Sequence, residues 1–198
     1  MDKPAPTDIP VHPLVRQRWS PRAFDPSRPV DDATLRSLLE AARWSPSCFN
    51  EQPWAYILGR MHQEPDAHAR ILSCLTPANQ AWARNAPLLI IAAAKAAFDK
   101  NAKPNRHATH DVGQSLAWLT VQAESMTLRV HQMAGIDPDR CRTQLGIPAG
   151  WDPITGVAVG SAGPLDILPE DVRARETAPR VRRPVAEWAF TGAWGASA

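Results

Sequence analysis

Pro87-Leu88-Leu89-Ile90-Ile91-Ala92-Ala93-Ala94 (87–94) is an unbroken apolar run, too short for an ordinary helix and rich in branched residues. It predicts an interior strand covered on both faces, since a strand with one wet face would alternate apolar and polar. Ile154 to Gly160, ITGVAVG, carries the same signature. Between the two, His107 to Met133 contains no proline and a single glycine, Gly113. Val112, Leu116, Leu119, Ala123, Met126 and Val130 recur there at helical spacing, which predicts one long central helix. Ala117, Trp118 and Val121 fall outside that stripe, so a second apolar neighbour such as a subunit interface is expected.

Toward the N-terminus, Asp31 and Asp32 can cap a helix that buries Leu35, Leu38, Leu39 and Ala42 and ends near Trp44. PWAYILG (53–59) predicts a strand, and residues 66–75 a further helix. From Leu168 onward come a short helix, LPEDVRARET, a basic stretch, APRVRRP, and an aromatic end, VAEWAFTGAWG. This tail has too few core residues to stand alone and should dock on its own domain or on a partner. Strands separated by helices predict a layered α/β or α+β domain over residues 1–198, with 1–11 flexible.

At 198 residues and 44% hydrophobic, the chain can bury one substantial core. A net charge of +2 gives no long-range field of the kind that nucleic-acid or membrane binders carry. Cys48, Cys74 and Cys141 are widely spaced, against a disulfide framework or a thiolate zinc site, and a reducing cytoplasm is expected. The six histidines lack ligand spacing, so no metal is expected either. Neither a P-loop nor a G-x-G-x-x-G is present.

Four segments could carry chemistry. Arg16 to Arg22 (RQRWSPR) concentrates guanidinium forks and a hydroxyl suited to phosphate, although an ordinary solvated turn also fits. In SPSCFNEQPW (45–54), Asn50 and Gln52 offer the paired donors and acceptors that read a flat heterocycle; an Asx-rich turn is the plainer alternative. The arginines at 173, 175, 180, 182 and 183 suit either a solvated surface or an anion. In HQMAGI (131–136), backbone at Gly135 could approach a ligand, or Gly135 could simply cap a helix.

Taken in order, RWSPRAFDPSRPV, AARWSPSCFNEQPWAYIL, HDVGQSLAWLTVQA with HQMAGID, LGIPAGW with ITGVAVG, and RETAPRVRRPVAEW resemble the nitroreductase family over residues 12–195. The resemblance implies an α+β fold around a central mixed sheet flanked by helices, forming a homodimer that exchanges C-terminal extensions. It implies FMN at the dimer interface, with NADH or NADPH as electron donor and small electron-poor molecules, nitroaromatics or quinones, as acceptors. Hydride transfer at the flavin leaves no protein nucleophile to assign, and no nucleic acid or membrane partner is expected. Fragmentation of flavin, dehalogenation, dehydrogenation and non-catalytic flavin binding are other outcomes on the same scaffold.

By the same resemblance, Arg18, the Trp19 backbone, Ser20 and Arg22 hold the phosphate and ribityl chain, and Arg180 and Arg182 close on the phosphate. Pro46, Ser47, Cys48, Asn50 and Gln52 meet the flavin ring of the neighbouring subunit. Met133, Ala134 and Gly135 place backbone beside the ring. Three positions depart from common family usage: Ala134 stands where several members have an acid, Thr127 where others have Gly, and Cys48 where Ser is frequent.

Overall fold

The computed structural model describes residues 2–196; Met1, Ser197 and Ala198, which the expected domain range and flexible leader include, lie outside the described residues. A short helix α1 (Pro13–Gln17) precedes α2 (Asp32–Arg43), whose first turn is capped by Asp31 accepting the Thr34 N–H at 2.7 Å. Strand β1 (Trp54–Arg60) then leads through α3 (Pro65–Ser73) and α4 (Pro77–Ala83) to β2 (Leu88–Lys95). Helix α5 (Ala108–Ser125), β3 (Arg129–Met133), α6 (Pro138–Leu145), β4 (Trp151–Gly160) and α7 (Glu170–Thr177) complete the order.

The sheet order is β1-β2-β4-β3, which puts the two apolar runs side by side in the middle. Side chains alternate across β2 as pleating requires. Leu88, Ile90 and Ala92 join Val157 and Val159 under α2 and α5, where Leu38, Leu116 and Leu119 are buried. Leu89 and Ile91 face the other way, toward Ile71, Trp82, Cys141 and Val172 of the remaining helices. Both faces are therefore covered, as the uninterrupted runs predict.

Two expectations are corrected. Among the described residues the sheet is not mixed: all three strand pairings are antiparallel. Arg60, the end of β1, sits opposite Leu88, the start of β2, because the two intervening helices return the chain to the edge it left. Nor does one helix run from 107 to 133. Helix α5 stops at Ser125 in a Schellman closure, with Leu128 N–H donating to Ala123 O and Thr127 N–H to Glu124 O. Thr127 takes the left-handed position at φ 60°, a strained conformation for a β-branched residue and the reason glycine suits this place. The chain then reverses into β3, an edge strand on β4.

The tail divides at Pro179. Leu168, Val172 and Glu176 are buried against the domain, whereas Val181, Val185, Trp188 and Trp194 are exposed, Trp194 by 93%. On α5, Trp118 is 51% exposed and Val121 is exposed beside it. At the other end of the chain, Ala5 N–H bonds Arg16 O, and Lys3 Nζ donates to Glu176 O and Ala178 O. Among the described residues, no helix is long and apolar enough to cross a membrane.

Candidate functional site

The N-terminal basic turn and the C-terminal arginines, far apart in sequence, line one cavity of about 190 Å³. Arg18, Trp19, Ser20 and Arg22 form one wall; Arg175, Arg180 and Arg182 form the other, with Lys3 beside them. Glu176, fully buried below, supplies the one carboxylate. It accepts the Arg22 and Ala23 backbone N–H groups at 2.7 and 3.2 Å and lies 3.6 Å from the Arg22 guanidinium. Glu176 thus fixes the turn rather than neutralising the whole cluster.

Burial, and then the charges of Arg180 and Arg182, push the Arg18 guanidinium below its usual range. Burial and Arg182 do the same to Arg180. The Glu124 carboxylate offsets part of this, and an anion bound among these cations would reduce the remaining repulsion. Arg18 Nη1 donates to Ser20 Oγ at 3.1 Å, which leaves the Ser20 hydroxyl proton available. Among the described residues, the buried Trp19 Nε1–H has no hydrogen-bond partner. These donors fit a phosphate.

Arg180 has a different part from the one expected. Its guanidinium donates to Lys3 O, Arg16 O and Arg18 O at 2.6, 3.2 and 2.9 Å, strapping both termini to the basic turn. Arg182 is exposed, and among the described residues its side chain reaches only the Val181 carbonyl. Arg182 is the freer of the pair to meet an anion.

From the cluster a second hollow of about 290 Å³ continues along α5 and β3, sharing Arg18 and Ser20 and adding Thr120, Val121 and Gln132. Thr120 and Gln132 were not legible as site residues. Strand alternation sends Val130 and Gln132 toward α5 and His131 and Met133 the other way, a distinction that a helical reading of 107–133 erases. Beyond Gln132 lie Met133, buried in the core, and then Ala134 and Gly135. No hydrogen bond from either the Ala134 or the Gly135 N–H is found among the described residues. The close approach at Gly135 is to protein: a Cβ there would sit 2.5 Å from Asn79 Nδ2, which donates to Gly135 O.

The loop of Pro46, Ser47, Cys48, Asn50 and Gln52 lies elsewhere in the same chain, lining neither of these cavities. Asp111, buried near the start of α5, accepts the Cys48 N–H at 3.0 Å; Ser47 Oγ accepts the Gln52 N–H, also at 3.0 Å. Phe49, Asn50 and Gln52 all take left-handed backbone, with φ of 54, 57 and 51°. Asn adopts this region readily, whereas Phe49 and Gln52 hold the loop in a strained turn. Asp111 and Thr120 are nine residues apart on α5, about 14 Å along its axis, so the loop and the arginine cluster occupy different reaches of one helix.

Residues 15–161 match the nitroreductase family. The chain belongs to the nitroreductase family. It is 33% identical over 145 residues to an uncharacterised 15.4 kDa protein of Mycolicibacterium smegmatis, covering 71% of this chain and 97% of that one. It is 30% identical over 151 residues to a Thermus thermophilus NADH dehydrogenase, covering 61% of this chain and 72% of the relative. Among solved structures, an oxidoreductase containing FMN superposes with a TM-score of 0.89 at 35% identity, covering 98% and 97% of the two chains.

One histidine packed against the basic turn titrates below its usual range. His131 lies under the basic turn, its Nδ1 2.9 Å from Pro21 O and its ring 4.6 Å from that of Trp82. Burial first, then Arg22 and Arg18, lower its pKa to about 4, the Pro21 contact offsetting only part. An unfolded histidine titrates near ~6.5, so between these values the unfolded chain binds the extra proton. Stability is therefore full above that pH and lost as pH falls toward 4, by up to about 3 kcal/mol. Urea midpoints at pH 7, 5 and 4 test this: His131→Gln should flatten the acid slope, and an unchanged slope counts against it.

Proposed function

We propose that the protein is an FMN-dependent oxidoreductase that uses NADH or NADPH to reduce small electron-poor molecules, nitroaromatics or quinones, and acts as a homodimer. The convergence of Arg18, Ser20, Arg22 and Arg182 on one cation-rich cavity carries this reading, because a terminal phosphate is what such a set accepts. When bound, FMN would supply the redox chemistry: acceptance of hydride from the nicotinamide and delivery of electrons to a second molecule.

The chain's own groups bind and orient. Arg18, Arg22 and the Ser20 hydroxyl would hold the phosphate, the hollow by Thr120 and Gln132 would take the ribityl chain, and the Ala134 and Gly135 N–H groups would stabilise negative charge on the reduced ring. The 46–52 loop would complete the site from the neighbouring subunit, with the exposed Trp118 and Val121 of α5 and the tail beyond Pro179 supplying apolar contact surface.

Anaerobic addition of NADH or NADPH to the purified yellow protein should bleach it within seconds, and a nitroarene or quinone should restore the colour. A protein that stays yellow under both donors is a binder and not a reductase. Sedimentation should find the flavin-loaded species as a dimer; a flavin-loaded monomer at micromolar concentration contradicts the two-chain site.

A further inference from the structure

A cavity of about 530 Å³, separate from the two along the arginine cluster, lies between the strained 46–52 loop and the turn that follows β2. Phe49, 89% exposed, meets Phe98 edge to face with centroids 6.1 Å apart, so two aromatic rings form one wall. The turn folds back on itself, with Phe98 N–H on Lys103 O, Ala102 N–H on Phe98 O, and Ala102 in left-handed backbone at φ 55°. It is tied to the loop where the Asp99 N–H donates to Glu51.

The charges on this wall are unequal. The Glu51 carboxylate accepts that N–H, and Asp99 is paired with Lys95. Lys100 and Lys103 line the same cavity and form no ion pair among the described residues. Aromatic walls beside two unpaired ammonium groups suit a planar aromatic molecule that carries an anionic substituent. The volume falls within the range of small-ligand sites, with room for one or two rings.

We infer that this cavity selects the electron acceptor, and that Lys100 and Lys103 favour aromatic oxidants bearing a carboxylate or sulfonate over their neutral analogues. The inference rests on the proposed reading of the 46–52 loop as a wall of the redox site. For a nitroarene the balance is two electrons: NAD(P)H plus one proton becomes NAD(P)+, and the nitro group loses one oxygen as water to become nitroso. The lysines take no part in that transfer and act only on binding and placement.

Calorimetric titration of the oxidised holoprotein with 4-nitrobenzoate and with neutral 4-nitrobenzamide reads the preference without turnover. The carboxylate should bind about tenfold tighter, as two exposed charge contacts allow. Lys100→Gln with Lys103→Gln should bring the two ligands within about threefold, while Arg36→Gln, which removes one surface charge from α2, should leave the ratio as it was. Lys100→Arg with Lys103→Arg should restore the preference. Equal binding by the parent overturns the inference, as does a ratio that survives the double glutamine change. NADPH is itself anionic, so it is titrated into the same variants; a loss confined to NADPH assigns the lysines to the donor and also overturns it. A tenfold preference in a protein that NAD(P)H does not bleach sinks the proposed reductase activity and leaves the binding inference standing.

Discussion

Arg18→Ala should weaken FMN binding roughly ten- to a hundredfold while leaving riboflavin binding nearly unchanged, since a charge-assisted contact to phosphate contributes about 1.5–3 kcal/mol. Arg18 is half-buried, its charge crowded by Arg180 and Arg182, and its Nη1 reaches Ser20, so it stands where phosphate oxygens would replace lost water. Arg182→Ala should show the same selectivity with a smaller loss, because its exposed side chain is more screened. Arg180→Ala should behave differently. Three N-terminal carbonyls, those of Lys3, Arg16 and Arg18, lose their bond to the C-terminal arm in that variant, so tail docking, FMN and riboflavin binding should all suffer. Titration of both ligands into all three variants decides the matter: equal losses for FMN and riboflavin in Arg18→Ala would mean that Arg18 supports the fold and not the phosphate.

Trp82→Ala should cost about 3–5 kcal/mol of stability, the range for deleting a large buried aromatic. Trp82 is 2% exposed and lies between Phe24, at 6.2 Å and nearly parallel, and His131 at 4.6 Å. Phe24 and His131 in turn support the basic turn, through chain continuity and through the contact with Pro21 O. The same substitution should therefore lower FMN affinity although Trp82 lines neither cavity of the arginine site. Urea unfolding measures the first effect and fluorescence titration the second. A stability loss below about 1 kcal/mol would show that the neighbours collapse into the space and that the stack is not holding the turn.

Much of this protein could be read without its structure. Helix α2, the first strand and the two interior strands form close to where local pattern puts them, because Asp31 offers a capping carboxylate and the apolar runs have no alternative but burial. The reading failed across 126–133. Thr127 fills by strain a left-handed position that glycine would have announced, and Val130 continues a helical spacing by coincidence while it serves an edge strand. With the strand hidden, Gln132 and Thr120 could not be placed on a shared wall. Phe49 and Phe98, about fifty residues apart, carry no pattern that links them.

Residue type and order alone determined that the chain has one layered core of helices and strands with two buried strands, that guanidinium groups concentrate in two segments, and, through five ordered motifs, which family it resembles. These are properties of short windows, where periodicity, capping and donor geometry act over a turn or two. Only the tertiary structure decided that Arg18 and Arg182 face one cavity, that Arg180 is a strap, that Glu176 anchors the turn from below, and that Lys100 and Lys103 stand beside two phenylalanines. Such roles depend on which partners a side chain meets, and the meeting of residues more than a hundred positions apart is set by packing of the whole core, which no local pattern encodes.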